Sequence, residues 1–163
     1  MLLAFLHTVA VAVYLGGTVF LGVVLIPALR RRGFDADALH LLAGALRIFH
    51  PVSLGSLGVL IITGAVALTP LKEGLGPEYM PRLFGVLALK LFLVFVLVLV
   101  SSYQFFALGP RLLRALPAEG GKLEGVPSTE GIQLVQRIHR WNLVAAALGI
   151  VIVYLGLRMG GLS

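Results

Sequence analysis

Cysteine is absent from this sequence, and charged residues are scarce. The lack of cysteine excludes disulfides, thiolate zinc sites and Cys-ligated iron–sulfur clusters. Charged residues make up only 12% of the chain against 59% hydrophobic residues, and the mean hydropathy is +1.03. These values lie far outside the range of soluble domains. The sequence therefore predicts an integral membrane protein, with the lipid bilayer as its first partner.

Acidic side chains are missing from four long apolar runs. The runs cover about residues 2–29, 48–69, 83–108 and 138–157, and each is long enough to cross a hydrocarbon core about 30 Å thick. Backbone groups in lipid must be hydrogen-bonded internally, and the alternation of a β-barrel is absent, so the runs are predicted to be helices. The expected fold is all-α, with residues 1–163 forming a single four-span transmembrane domain, a four-helix bundle.

The N-terminus lacks the features of a cleaved signal peptide. No basic residue precedes the first apolar run, and the run is much longer than a signal-peptide core of about 7–15 residues. We expect it to be a retained span.

Basic residues are unevenly divided between the loops. The loops after the first and third runs contain nine Lys and Arg residues, whereas the loop after the second run and the C-terminal tail contain three. The positive-inside rule then predicts cytoplasmic basic loops and both termini on the non-cytoplasmic side of the cell inner (plasma) membrane. The pI near 10.3 is interpreted as an orientation signal, and no nucleic-acid partner is expected.

The two basic connections differ in composition. "GFDADALHLLAGALRIFH" (residues 33–50) predicts a helix capped by Asp35 or Asp37 that leads straight into the second span as an interfacial extension. "LPAEGGKLEGVPSTEGIQLVQ" (residues 116–136) predicts a flexible loop followed by a helix that is capped near Ser128 or Thr129.

Ionisable residues at membrane depth are the main functional signal in such a protein. Lys90 lies about seven residues inside the third span, roughly 10 Å at the helical rise. It shares a helical face with Ser101 and Gln104, so this face is predicted to point into the bundle. Lys90 is either a residue that snorkels to the interface, or a buried cation that binds a carboxylate or serves as a ligand.

His7 enters the membrane from the same side at a comparable depth, with Tyr14 on its face. Gly16, Gly17 and Gly22 thin this helix so that a partner or a flat ligand can approach closely. The two hypotheses for His7 are a hydrogen-bonded filler and a metal or haem ligand.

His50 and His139 form a second candidate pair at the cytoplasmic side, where they begin the second and fourth spans. Small residues follow each of them on one face, which is typical of a helix-packing seam and also of a helix that lines a planar macrocycle. The alternative for both is an interfacial polar residue. His40 is expected to lie in the loop, solvated.

The residue types favour haem over other cofactors. There is no zinc-protease motif, phosphate loop or nucleophile elbow. The imidazoles of His7, His50 and His139 suit haem iron, copper or zinc as ligands. Met1, Met80 and Met159 are too scattered along the chain for a Cu(I) relay. Ligands on separate helices of a bundle fit haem b, held between facing helices.

Several stretches resemble known membrane families. "LHTVAVAVYLGGTVFLGVVLIPALRR" resembles the first helix of the CopD-type copper-resistance membrane domain. "LKLFLVFVLVLVSSYQFFALGPRL" and "RIHRWNLVAAALGIVIVYL" resemble the HemJ-type small haem-binding membrane proteins, four-helix proteins implicated in protoporphyrinogen oxidation. The HemJ-type resemblance implies that His7 and Lys90 match a first-helix His and a third-helix Lys that matter in that family. The chain departs from it at Tyr14, where that family has Trp, and at Gln104, where His often follows Tyr.

The leading hypothesis is a membrane protein that binds one or two b haems, with His7 as axial ligand, Lys90 as a propionate partner or second ligand, and His50 with His139 around a second haem. Its expected role is electron transfer with a quinone or a redox partner protein, and whether it is an enzyme stays open. The alternatives are a copper-handling CopD-like protein, a HemJ-like protoporphyrinogen oxidase, or a non-catalytic subunit of a larger complex. A homo-oligomer is compatible with all of them.

Overall fold

The structure, a computed structural model, describes residues 1–33, 36–74, 80–115 and 129–160. Helix α1 consists of three contiguous pieces, Leu2–Val19, Phe20–Leu25 and Ile26–Arg32. Helix α2 runs over Ala36–Gly74, and α4 over Thr129–Gly160. Helix α3 joins Met80–Tyr103, Gln104–Leu108 and Gly109–Ala115. The middle pieces of α1 and α3 are π-helical, a local widening that is frequent at functional sites.

Four segments are long and apolar enough to cross a membrane, in agreement with the predicted number and order of spans. They are Leu2–Arg32, Asp37–Ala67, Phe84–Leu112 and Gly131–Arg158. Helix α2 begins well before residue 48, the predicted start of the second span, because Leu39, Leu42 and Leu46 are buried in the core. The predicted helical extension into the second span is therefore confirmed.

Two smaller expectations have mixed outcomes. Helix α4 begins at Thr129 as predicted, while residues 116–128, the expected flexible loop, lie outside the described residues. His40 was expected in a loop but lies within α2, partly exposed. The amphipathic run that starts near Ala38 is continuous with the apolar span, so no loop separates them.

The helices form a bundle in which each one packs against its neighbours in the chain, and α1 also packs against α4. Close approach depends on two glycines. A Cβ atom on Gly17 would overlap the ring of Phe49 in α2, and one on Gly149 would overlap Leu15 in α1. These contacts fix α1 between α2 and α4, as small residues do in membrane helix packing.

The apolar core is divided into two clusters. The basic-end core lies near the basic connections and draws on all four helices: Leu21, Ile26, Leu29, Ala38, Leu39, Leu42, Ala43, Leu46, Leu108, Leu112, Leu134, Val135 and Ile138. The central core is smaller: Tyr14, Leu57, Leu97, Val100 and Ala145. Trp141 packs against both and contacts Tyr103 edge-to-face, with 5.6 Å between ring centroids.

Interior prolines interrupt the backbone ladder of α2 and α3, among others, without ending these helices. Helix α2 continues through Pro51, and α3 continues through Pro110 just after its π-helical turn. Proline has no N–H, so a carbonyl one turn earlier loses its intrahelical donor. Membrane helices tolerate this where neighbouring groups compensate. Pro51 directly follows His50 in the chain, and Pro110 lines the same cavity as His50, described below.

Candidate functional site

His7 is held by a hydroxyl of the neighbouring helix. Its Nδ1 lies 2.7 Å from Oγ1 of Thr63 in α2. The Thr63 hydroxyl donates its single proton to the carbonyl of Val59 at 2.6 Å, so Oγ1 must accept from His7. We therefore assign the proton of the imidazole to Nδ1, which leaves the lone pair of Nε2 available. The assignment rests on the hydrogen-bond pattern.

Lys90 of α3 is near enough to His7 of α1 for a Coulombic interaction between the two side chains. Its Nζ faces Gly156 of α4, where an added Cβ would be 3.2 Å away. The His7 ring faces Gly64 of α2 in the same way, with 3.7 Å between an added Cβ and Cε1. His7 thus packs against a glycine of α2, and Lys90 packs against a glycine of α4.

The His7–Lys90 site is half-buried. His7, Gly64, Lys90 and Gly156 are all partly exposed, and no hydrogen bond or ion pair to Lys90 occurs within the described part of the chain. Its position at membrane depth makes Lys90 a functional-site candidate, and a stem that snorkels to the interface is the alternative. The site offers one imidazole nitrogen and one amine between four helices.

A polar cluster occupies the centre of the bundle. The hydroxyls of Tyr14 and Ser101 are hydrogen-bonded at 2.9 Å, and Thr18 donates to the Tyr14 carbonyl at 2.7 Å. Gln104 and Asn142 are buried beside them, and the Asn142 Nδ2 has no hydrogen-bond partner in the described residues. The predicted inward face of α3 is confirmed, because Ser101 and Gln104 are both buried.

This cluster surrounds a very small cavity of about 10 Å³ whose wall also includes His50 and Ser53. That volume is close to the space a single water requires. Two wall residues, His50 and Asn142, carry buried nitrogens that lack partners among the described residues, His50 Nε2 and Asn142 Nδ2. A bridging water would satisfy polar atoms of this kind.

His50 is the most buried histidine of the candidate set, with 7% of its surface exposed. Its ring contacts Phe105 edge-to-face at a centroid distance of 6.0 Å. It also lines a second, larger cavity of about 180 Å³ between α2 and α3. His139 is not among the wall residues of either cavity. Its buried Nδ1 has no partner in the described chain, and its pairing with His50 around a haem stays a prediction.

Sequence inspection found His7, Lys90, Tyr14, Gln104 and His50 but overlooked Thr63. A lone threonine in an apolar run has no distinctive signal, since its hydroxyl usually bonds the preceding helical turn. Thr63 does so here, and it also accepts the hydrogen bond of His7. The second role depends on how α1 and α2 are rotated about their axes, and the sequence does not show this rotation.

Within the described residues, no group of three or more His, Cys, Asp or Glu side chains is placed to coordinate one metal ion. Comparison with protein-family models, with curated proteins and with solved structures gives no match for this chain. The chain's own structure shows an all-α fold with four helices long and apolar enough to span a membrane, and its function has to be argued from the His7–Lys90 site.

Proposed function

We propose that this protein binds haem b in the plasma membrane, with His7 as an axial ligand and Lys90 as a second ligand or as the partner of a haem propionate. Both chain termini and this site would face the non-cytoplasmic side, following the distribution of basic residues. A bound haem would supply an iron centre that exchanges single electrons. The natural partners would be a membrane quinone or a redox protein.

The observation that carries this proposal is the hydrogen bond from His7 to Thr63. Metal-ligating histidines commonly donate their second nitrogen to a neighbouring oxygen, which fixes the tautomer and the ring orientation. His7 already has this arrangement, with Nδ1 bound and Nε2 available. Haem needs only one or two protein donors because the porphyrin supplies four nitrogens.

The surroundings of His7 also suit a flat ligand. Gly64 and Gly156 present no side chain to the space beside His7 and Lys90, and four-helix bundles commonly hold cofactors between facing helices. Lys90 provides a positive charge that has no counterion within the described residues. Propionate carboxylates would supply one.

The HemJ-type and CopD-type resemblances add competing expectations for activity. The first would make the protein a protoporphyrinogen oxidase, and His7 and Lys90 match the residues that it requires. The second would make it a copper-handling protein. We propose one haem per chain, because no described contact joins His50 to His139 across a common cavity.

The test is a visible spectrum of the protein purified in mild detergent after expression with ample haem supply. We expect a b-type α-band in the reduced-minus-oxidised spectrum and a haem-to-chain ratio near one. His7→Ala should remove the band, while His40→Ala, a histidine of α2 outside the site, should retain it. Thr63→Val should weaken haem binding by about 10–100-fold, the usual effect of losing an outer-shell partner.

Three results would contradict the proposal in whole or in part. A colourless wild-type protein that contains copper by metal analysis would favour the copper hypothesis. A coloured His7→Ala variant with an unchanged spectrum would mean that another residue binds the iron. A ratio near two would favour the second haem at His50 and His139.

A further inference from the structure

The cavity between α2 and α3, called here the lateral cavity, lies far from the His7 site along α2. His50 and Thr63 are separated along α2 by about 20 Å at the helical rise. The wall of the lateral cavity consists of Ala43, Leu46, Arg47, His50, Phe105, Phe106, Gly109, Pro110 and Leu112. Phe106 is 70% exposed on the apolar flank of α3, so the cavity is accessible from the side of the bundle.

The size of the lateral cavity matches an aromatic or quinonoid ring. Its volume is about 180 Å³, whereas an apolar cavity of roughly 150 Å³ suffices to bind benzene. Phe105 and Phe106 pack edge-to-face with 4.7 Å between ring centroids and form part of one wall. Because Gly109 has no side chain, the His50 ring packs directly against its backbone. An added Cβ there would lie 3.2 Å from His50 Nδ1.

The polar side chains in this wall are Arg47 and His50, one helical turn apart on α2. At this spacing their Cβ atoms are about 5–6 Å apart. The Nδ1 edge of His50 faces Gly109, and the residue is 93% buried, since its exposed fraction is 7%. Its Nε2 has no hydrogen-bond partner within the described residues. A buried nitrogen of this kind is costly, and an occupant of the lateral cavity with hydrogen-bonding groups would remove that cost.

We infer that the lateral cavity binds the head group of an isoprenoid quinone. The ring contacts Phe105 and Phe106, one carbonyl accepts a hydrogen bond from His50, and the opposite carbonyl accepts one from Arg47. The isoprenoid tail leaves past Phe106 into the bilayer. The choice of a quinone among ring-bearing amphiphiles rests on the proposed redox function, because a quinone is the lipid-soluble carrier that exchanges electrons with a haem.

The decisive experiment measures the binding of decylubiquinone to the full chain in lipid nanodiscs by isothermal titration calorimetry. Decylbenzene, which has the same tail and no ring carbonyls, is the matched ligand. We expect saturable binding of decylubiquinone at one site per chain and at least tenfold weaker binding of decylbenzene, because the hydrogen bonds from His50 and Arg47 are lost.

Two pairs of variants locate the site. Gly109→Leu should abolish binding by filling the cavity, whereas Gly85→Leu, on the same helix with nothing within 4 Å of an added Cβ, should not change it. His50→Leu should weaken binding roughly tenfold for one lost hydrogen bond, and His40→Leu should leave it unchanged. Thermal melts of each variant identify any loss of folding.

The outcomes separate this inference from the haem proposal. Quinone binding in a colourless protein would support the cavity and contradict the haem. A coloured protein that binds no quinone would support the haem and contradict the quinone site. Equal binding of decylbenzene, or equal binding in Gly109→Leu and Gly85→Leu, would overturn the inference. A loss of haem in His50→Leu would also overturn it, because His50 would then be an iron ligand.

Discussion

The basic end of the bundle and the His7 end differ in packing. At the basic end Leu42, Leu108, Val135 and Ile138 have 0% of their surface exposed. At the other end the inward positions are His7, Gly64, Lys90 and Gly156, and all are partly exposed. Close packing of large aliphatic residues stabilises the first region, whereas the second contains small and polar residues. The two ends are thus divided by packing: the basic end is close-packed and the His7 end is more open.

Hydrogen bonding of the buried histidines also differs between the His7 end and the packed centre. His7 has a defined hydrogen-bond partner at the open end, whereas His50 Nε2 and Asn142 Nδ2 have none within the described residues, although they lie in the packed centre. A buried unpaired nitrogen costs about 1–3 kcal/mol. The described residues alone therefore do not satisfy the buried nitrogens near His50.

Truncating the packed end should have the largest effect on stability. Leu42→Ala is expected to lower the free energy of unfolding by about 2–5 kcal/mol, because it leaves a cavity among large side chains. Leu91→Ala is the matched control, since Leu91 is 54% exposed on the surface of α3. Thermal unfolding in one detergent compares them. Equal losses for both variants would contradict the division between the two ends.

Saturation with haem should stabilise the open end next most strongly. At a free haem concentration 100 times the dissociation constant the gain is about 2.7 kcal/mol. Hydrogen exchange should show added protection around His7 and Thr63 and little change around Leu42. If protection instead rose equally at both ends, haem would not be bound at His7.

The neighbouring glycines of α1 offer a sharper comparison. Gly17→Ala should destabilise the protein by about 1–3 kcal/mol, because the new methyl group would overlap Phe49. Gly16→Ala, with nothing within 4 Å of the added Cβ, should be neutral or stabilise the helix by up to about 1 kcal/mol. Melting temperatures of the two variants should therefore move in opposite directions. A similar change in both would mean that α1 and α2 approach each other elsewhere.

The hydrogen bond between Tyr14 and Ser101 should contribute least. Tyr14→Phe is expected to cost about 1 kcal/mol, a typical net value for one hydrogen bond. A double-mutant cycle with Ser101→Ala isolates the coupling between the two residues. Additive effects in this cycle would indicate that each hydroxyl has another partner.

Composition and hydropathy were sufficient to predict the four spans. The early start of α2, at Ala36, was predicted from another signal, the helical spacing of Leu39, Leu42 and Leu46, because this amphipathic stretch is less apolar than the span that it joins. The π-helical turns at Phe20–Leu25 and Gln104–Leu108 escaped prediction. A π-helical turn depends on how a helix packs against its neighbours, and no local residue pattern encodes it.

The proximity of His7 and Lys90 could be predicted from depth alone, since both lie a similar number of residues from the same ends of their spans. The contact of His7 with Thr63 could not, because it depends on the rotation of two helices about their axes. The lateral cavity was unpredictable for a similar reason. It arises where Gly109 and Pro110 meet the face of α2 that carries Arg47 and His50.

The proline inside helix α2 affects where this helix can bend. Pro51 removes one backbone hydrogen bond from this long helix, so bending is easiest there. The arm from Ala36 to His50 and the arm from His50 to Thr63 are each about 20 Å long at the helical rise. Arg47 belongs to one arm and the Thr63 that orients His7 belongs to the other. A change of angle at Pro51 would therefore change the position of Thr63 relative to His7.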